Sequence, residues 1–171
     1  IGGFRLALDS FGAKCVFTSE WDKHSQDVYI KNFGDEPNGD ITKISEQDIP
    51  KHDFLFGGFP CQPFSISGKQ KGFDDTRGTL FFDIARIAKY HKPKVMILEN
   101  VKNILTINGG ETLSTIKEVL EKELNYSVFI KLLKGNDFGV PQQRERVFFM
   151  CFHHSLKIPN FELSNPDFNK Y

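Results

Sequence analysis

Lys94-Val95-Met96-Ile97-Leu98-Glu99 places four apolar residues in succession and ends on a carboxylate. An apolar run of this length without polar alternation is the pattern of a strand covered on both faces, as in parallel sheets, and puts Glu99 at its C-terminal end. Upstream, Thr79 can cap a helix whose apolar positions are Leu80, Phe81, Ile84, Ala85 and Ala88. Before that helix, residues 53–56 (D-F-L-F) read as a buried strand, and residues 57–78 as a long loop rich in Gly, Ser and Lys. So long a loop inside a compact domain points to function.

Toward the N-terminus, Phe4, Leu8 and Phe11 recur at helical spacing after the glycine turn Ile1-Gly2-Gly3, until Gly12 breaks the pattern. Residues 14–19 (K-C-V-F-T-S) read as a short strand ending at Glu20-Trp21-Asp22, and residues 24–33 as a helix stopped by Gly34. Toward the C-terminus come an amphipathic helix at 111–124, a strand at 126–133, an Arg-rich turn at 143–146 and a last strand at 147–152. This alternation predicts an α/β fold: one Rossmann-like domain over residues 1–171 with a mostly parallel, doubly wound sheet. In such sheets ligands gather at the C-terminal ends of strands, where Glu20, Cys61 and Glu99 all fall.

Composition narrows the function. Twenty-two basic residues balance 22 acidic ones, so a nucleic-acid contact has to be local rather than a property of the whole chain. The 18 phenylalanines within 39% hydrophobic content supply a substantial core, yet no run approaches the roughly 20 residues of a membrane span. Cys15, Cys61 and Cys151 are odd in number and widely spaced, which argues against disulfides and against a zinc site. A soluble protein of a reducing, cytoplasmic compartment is the expectation.

Cys61 lies in Gly57-Gly58-Phe59-Pro60-Cys61-Gln62-Pro63-Phe64-Ser65, a turn bracketed by glycine and proline directly after a strand. Cys15 and Cys151, inside apolar segments, read as small buried hydrophobes; the loop setting of Cys61 marks a thiol poised to react. Glu99, behind four apolar residues, is expected to be partly desolvated and able to hold a proton near neutral pH, although taken alone it reads better as a structural cap on the next helix. Gln143-Arg144-Glu145-Arg146, taken alone, reads equally as a surface salt-bridge cluster.

Together and in this order, G-F-P-C-Q-P-F-S, E-N-V and Q-R-E-R resemble three signature blocks of the DNA cytosine-5 methyltransferase family, and Glu20-Trp21-Asp22 and Gly39-Asp40-Ile41 look like two of its cofactor blocks. The resemblance covers essentially the whole chain, and the loop at residues 65–73 is most similar to that of HhaI-type bacterial restriction-modification enzymes. It implies methyl transfer from S-adenosylmethionine to carbon 5 of a flipped cytosine in double-stranded DNA, with Cys61 as nucleophile, Glu99 at the ring N3, Arg146 at O2 and Arg144 in support. It further implies cofactor contacts from Ile1, Gly3, Glu20, Trp21, Asp40, Ile41, Gly58, Pro60 and Leu80. DNA contacts fall to Gln62, Ser65, Ser67, Lys69, Lys71 and Arg77, and no metal is implied.

Two departures from the family pattern stand out. The first block keeps only Ile1-Gly2-Gly3 of its strand-turn, so the central strand is expected to be missing and this exact polypeptide to be unstable alone. The target-recognition segment is also expected to be absent, through truncation or because a second polypeptide supplies it. A tRNA cytosine-5 methyltransferase shares the same blocks, and an inactive cofactor-binding fragment is the non-enzymatic alternative. A zinc deaminase is excluded by ligands, since P-C-x-x-C and H-x-E are both lacking.

Overall fold

The computed structural model describes residues 1–62, 79–158 and 160–163. The chain forms two compact units, Ile1–His52 and Asp53–Tyr171.

In the first unit, α1 (Gly3–Ser10) and α2 (Lys23–Phe33) are the two helices longer than one turn. Gly2 caps α1 with φ 80°, and a Cβ there would fall into the Phe33 ring, so both conformation and space require glycine. Asp22 caps α2, its carboxylate accepting from Ser25 N at 2.8 Å, and Gly34 closes the helix at φ 74°. That hydrogen bond holds the Asp22 carboxyl below the usual aspartate range. Arg5 is tied to Asp9 and Asp35, each at 2.7 Å, and donates to the hydroxyl of the buried Tyr29.

The strand expected at residues 14–19 does not form. A strand exists only where a neighbour supplies ladder partners, and in this unit the pairing reduces to one parallel bridge, Ser19 with Asn38. Cys15 accordingly sits partly exposed beside Thr18, 3.2 Å from sulfur to Oγ1, rather than buried in a strand.

The second unit is built on a four-stranded sheet of β1 (Phe54–Gly58), β2 (Val95–Val101), β3 (Tyr126–Lys134) and β4 (Glu145–His153), ordered β1-β2-β4-β3. β1 runs parallel to β2, whereas β4 lies antiparallel to both β2 and β3. The α/β class holds, but the ladder is mixed rather than mostly parallel: β1, β2 and β3 share one direction and β4 opposes them. The cause is the short connection at residues 135–144, which lacks the dozen or more residues that a crossover between parallel strands needs.

Alternation along the central strands separates two faces. Met96, Leu98 and Asn100 on β2 stand opposite Cys151, Phe149 and Val147 on β4, and all six are buried. Against them pack Phe81, Ala85 and Ala88 of α3 (Leu80–His91) and Ile116 of α4 (Glu111–Glu118), with Val119 and Leu120 from the π-helical turn Val119–Glu123 that ends α4. Thr79 is the N-cap of α3, but its side chain makes no cap hydrogen bond. Burial pushes the Cys151 thiol far above the ordinary thiol range, which fits the inert, core-filling reading of that cysteine.

Candidate active site

The second unit gathers chemistry at one end of its sheet. Because β1 and β2 are parallel, both deliver their C-terminal ends there, and because β4 is reversed, it delivers its first residues to the same end. Gly58 pairs with Glu99, and Val101 with Arg146. Cys61, three residues past Gly58, therefore sits in the loop leaving the strand that borders Glu99.

The thiol is held by a turn anchored at both sides. Gln62 N donates to Pro60 O at 3.1 Å, closing a three-residue turn centred on Cys61. Phe59, immediately before it, is buried against Phe81 and Phe149. Its backbone is stitched to β2 twice: Phe59 N reaches Glu99 O at 3.4 Å, and the buried Asn100 donates from Nδ2 to Phe59 O at 3.0 Å. Asn100 Oδ1 in turn accepts from Val101 N at 2.8 Å.

Glu99 lies within β2, the fifth of its seven residues, rather than at the strand's end. Its side chain is on the face opposite Leu98 and Asn100, beside Gly58, where a Cβ would come 3.4 Å from Glu99 Oε2. Glu99 Oε1 lies 2.8 Å from Arg146 Nε and 3.7 Å from Arg144 Nη2. The carboxylate thus faces two guanidinium groups instead of the apolar surroundings expected for it. Arg146 also belongs to a strand, not to a turn, and its position diagonal to Glu99 across the β2-β4 ladder brings the two side chains together.

Strand alternation sorts the Q-R-E-R block. Arg144 and Arg146 point to Glu99, while Glu145 turns the other way and meets Lys102 Nζ at 2.9 Å and Lys134 Nζ at 3.9 Å. Lys102 holds the Glu145 carboxyl below the usual glutamate range. The structure therefore contains both the convergent arginines and the surface salt-bridge cluster. No contact joins either guanidinium to the Cys61 sulfur among the described residues; the group found at the sulfur is Asn103, whose Nδ2 lies 3.8 Å from Sγ. Sequence reasoning did not single out Asn103 or Asn100; the signal was their place in and just after E-N-V.

In the first unit, the Ser19–Asn38 bridge brings the E-W-D and G-D-I segments side by side. Glu20 N donates to Asn38 O at 2.9 Å, and Ser19 Oγ donates to Gly39 O. Trp21 is 76% exposed, leaving its ring face open. Glu20 Oε1 accepts from Asp22 N, while Asp40 caps the turn Ile41–Lys43 by accepting from Thr42 N and Oγ1. The Thr42 bonds keep the Asp40 carboxyl below the usual range, hence ionised and accepting. Ile1 is exposed and Gly3 opens α1.

Of the remaining candidates, Gly58 ends β1, Pro60 is exposed and Leu80 opens α3 against the core, all in the second unit. Gln62 is exposed beside Cys61. Ser65, Ser67, Lys69, Lys71 and Arg77 lie outside the described residues. Among the described residues no His, Cys, Asp and Glu cluster could hold a metal ion, and no helix is long and apolar enough to cross a membrane.

The profile of the C-5 cytosine-specific DNA methylase family matches residues 1–171. The chain belongs to this family. Among curated members, the Type II methyltransferase M.HhaI of Haemophilus parahaemolyticus is 56% identical over 166 residues, which is 97% of this chain and 50% of that protein. M1.ScrFI of Lactococcus lactis subsp. cremoris is 58% identical over 169 residues, 97% of this chain and 43% of that protein. The chain spans about half the length of the C-5 methylases it matches. Among solved structures, a mutant of Spodoptera frugiperda DNMT2 aligns at TM-score 0.72 and 24% identity, over 97% of this chain and 51% of its own. The S. pombe Dnmt2 methyltransferase aligns at 0.68 and 21%, over 95% of this chain and 49% of its own. These two likenesses establish a shared methylase fold.

Proposed function

We propose that this chain carries the catalytic half of a Type II restriction-modification methyltransferase that modifies carbon 5 of cytosine in duplex DNA in the bacterial cytoplasm. The observation that carries the reading is the meeting, at one end of the sheet, of the Cys61 turn with the Glu99–Arg146 pair.

Carbon 5 of cytosine is a weak nucleophile until something adds to carbon 6. The Cys61 thiolate adds there: a sulfur lone pair forms the S–C6 bond, and the C5=C6 π pair moves into the ring toward carbon 5, N3 and O2. As N3 gains charge it takes a proton carried by the Glu99 carboxyl, and Arg146 meets the charge at O2, with Arg144 Nη2 3.7 Å from Glu99. Carbon 5 so charged would take the methyl group that the bound donor supplies, the S–CH3 pair staying on the donor; loss of the carbon-5 proton to a base would then re-form C5=C6 as the S–C6 pair returns to sulfur. The target base has to leave the duplex first, at a cost of a few kcal/mol. Gln62, Ser65, Ser67, Lys69, Lys71 and Arg77 are assigned to DNA, with Ser67 for the vacated stack and Lys69, Lys71 and Arg77 for phosphates.

S-adenosylmethionine, when bound, supplies an electrophilic methyl group. The donor set of the first unit fits it: the exposed Trp21 ring suits an adenosyl face, Glu20 a ribose diol, and the ionised Asp40 an adenine amino group. Ile1, Gly3 and Ile41 complete the contacts assigned to this unit.

The test is covalent trapping. Duplex DNA containing 5-fluorocytosine, incubated with the protein and radiolabelled S-adenosylmethionine, should give an adduct that resists denaturation and vanishes in Cys61→Ala. An adduct persisting in that variant would reassign the nucleophile, and trapping of tRNA in place of DNA would reassign the substrate.

A further inference from the structure

We propose that Asn103 is a positioning residue for the Cys61 sulfur, its side-chain amide donating to the thiolate and aiming it before addition to the ring. The inference rests on Cys61 being the nucleophile. Asn103 Nδ2 lies 3.8 Å from Sγ, within the longer reach of hydrogen bonds to sulfur. An amide neither gives nor takes a proton near neutral pH, so its contribution is a fixed dipole whose positive end faces the sulfur. Such a dipole aims the sulfur and restricts the rotamer from which its lone pair can reach carbon 6.

Three anchors fix this amide. Asn103 belongs to the short turn Lys102–Leu105 that continues directly from β2. The next residue, Ile104, is fully buried in the core, and the preceding one, Lys102, is tied to Glu145 at 2.9 Å. On the other side, Asn100 ties the end of β2 to Phe59, two residues before Cys61. The thiol and the amide are therefore held by the same strand end. The two arginines do not serve the sulfur in this way, since both are directed at Glu99.

The test reads the thiol rather than methyl transfer. The rate of iodoacetamide alkylation at Cys61 is followed by peptide-resolved mass spectrometry across pH in the parent chain, Asn103→Ala and Asn103→Asp. Cys151, fully buried, reports in each sample that the fold is intact by remaining unmodified. Because Asn103 is exposed, neither substitution empties the core. Losing the donor should slow Cys61 alkylation at about pH 7 by about fivefold, and the isosteric Asp, which sets a negative charge against the sulfur, should slow it further. At about pH 10, where a free thiol is largely ionised, Asn103→Ala should still lag the parent, because the amide aims the sulfur whatever its charge. An Asn103 that does nothing for the sulfur predicts that Asn103→Ala alkylates at Cys61 at the parent rate, and that result would overturn the proposal. Because no DNA or methyl donor is present, this outcome is independent of whether the trapping experiment succeeds.

Discussion

Arg146 Nε and Glu99 Oε1 stand 2.8 Å apart across two antiparallel strands, with each side chain only 24% exposed. A pair so placed serves two ends, since it holds β4 against β2 and presents a carboxyl and a guanidinium toward one space. Glu99→Gln keeps the shape and removes the charge. Adduct formation with 5-fluorocytosine DNA should fall by about 100-fold or more, while the urea midpoint moves little, because partly exposed pairs contribute about 1 kcal/mol or less. A large loss of stability with trapping intact would show the pair to be structural only.

The two arginines should be unequal. Arg144 lies farther from the carboxylate, at 3.7 Å, and is 52% exposed. A double-mutant cycle of Glu99→Gln with Arg146→Gln should give a coupling of about 1 kcal/mol, and the cycle with Arg144→Gln close to none. Equal couplings in urea titrations would contradict the geometry.

Asn100→Ala removes both partners of a buried side chain, leaving Phe59 O and Val101 N without it. The expected cost is about 2 kcal/mol, read as a lower urea midpoint. Because Phe59 leads into the Cys61 turn, alkylation of Cys61 should also lose its single-exponential course. An unchanged midpoint would mean that the turn holds without the asparagine.

Acid should act through Glu145. Lys102 lowers its folded-state affinity for protons, so its contribution is present above the unfolded glutamate range, near about 4.3, and disappears as pH falls through the lower folded value. Thermal melts of Glu145→Gln should therefore differ from the parent near neutrality and converge with it in acid. Divergence that grows toward low pH would have the wrong sign.

Cys151→Ser should be costly although the site is not used in chemistry. A hydroxyl would replace sulfur at a fully buried position facing Met96, at about 1–3 kcal/mol. Trapping at low temperature should be retained.

Much of this arrangement was legible because apolar runs announce themselves. Val95 to Leu98 reads as a central strand, and the four strands of the second unit fall near their expected positions. Residues 14–19 carry the same local preference, yet their pairing within the unit stops at the single Ser19–Asn38 bridge, and a sequence window cannot reveal that. Arg146 was assigned to a turn because charged residues cluster there; the strand begins earlier since Lys134 and Val101 neighbours pair with residues 145 and 146. Asn103 offered only its place just after E-N-V, because an asparagine after a strand reads as ordinary turn chemistry until the fold brings a sulfur beside it.

The opposed orientation of Glu145 and its flanking arginines also guards the assembly of the sheet. If β4 slipped by a single residue during folding, Glu145 would take the place of Arg146 before Glu99, setting two carboxylates against each other while Val147, Phe149 and Cys151 left the fully buried face for one that is only partly covered. The misaligned hairpin is disfavoured by charge and by burial together, so the residues proposed to meet the pyrimidine double as a checkpoint against the wrong strand alignment.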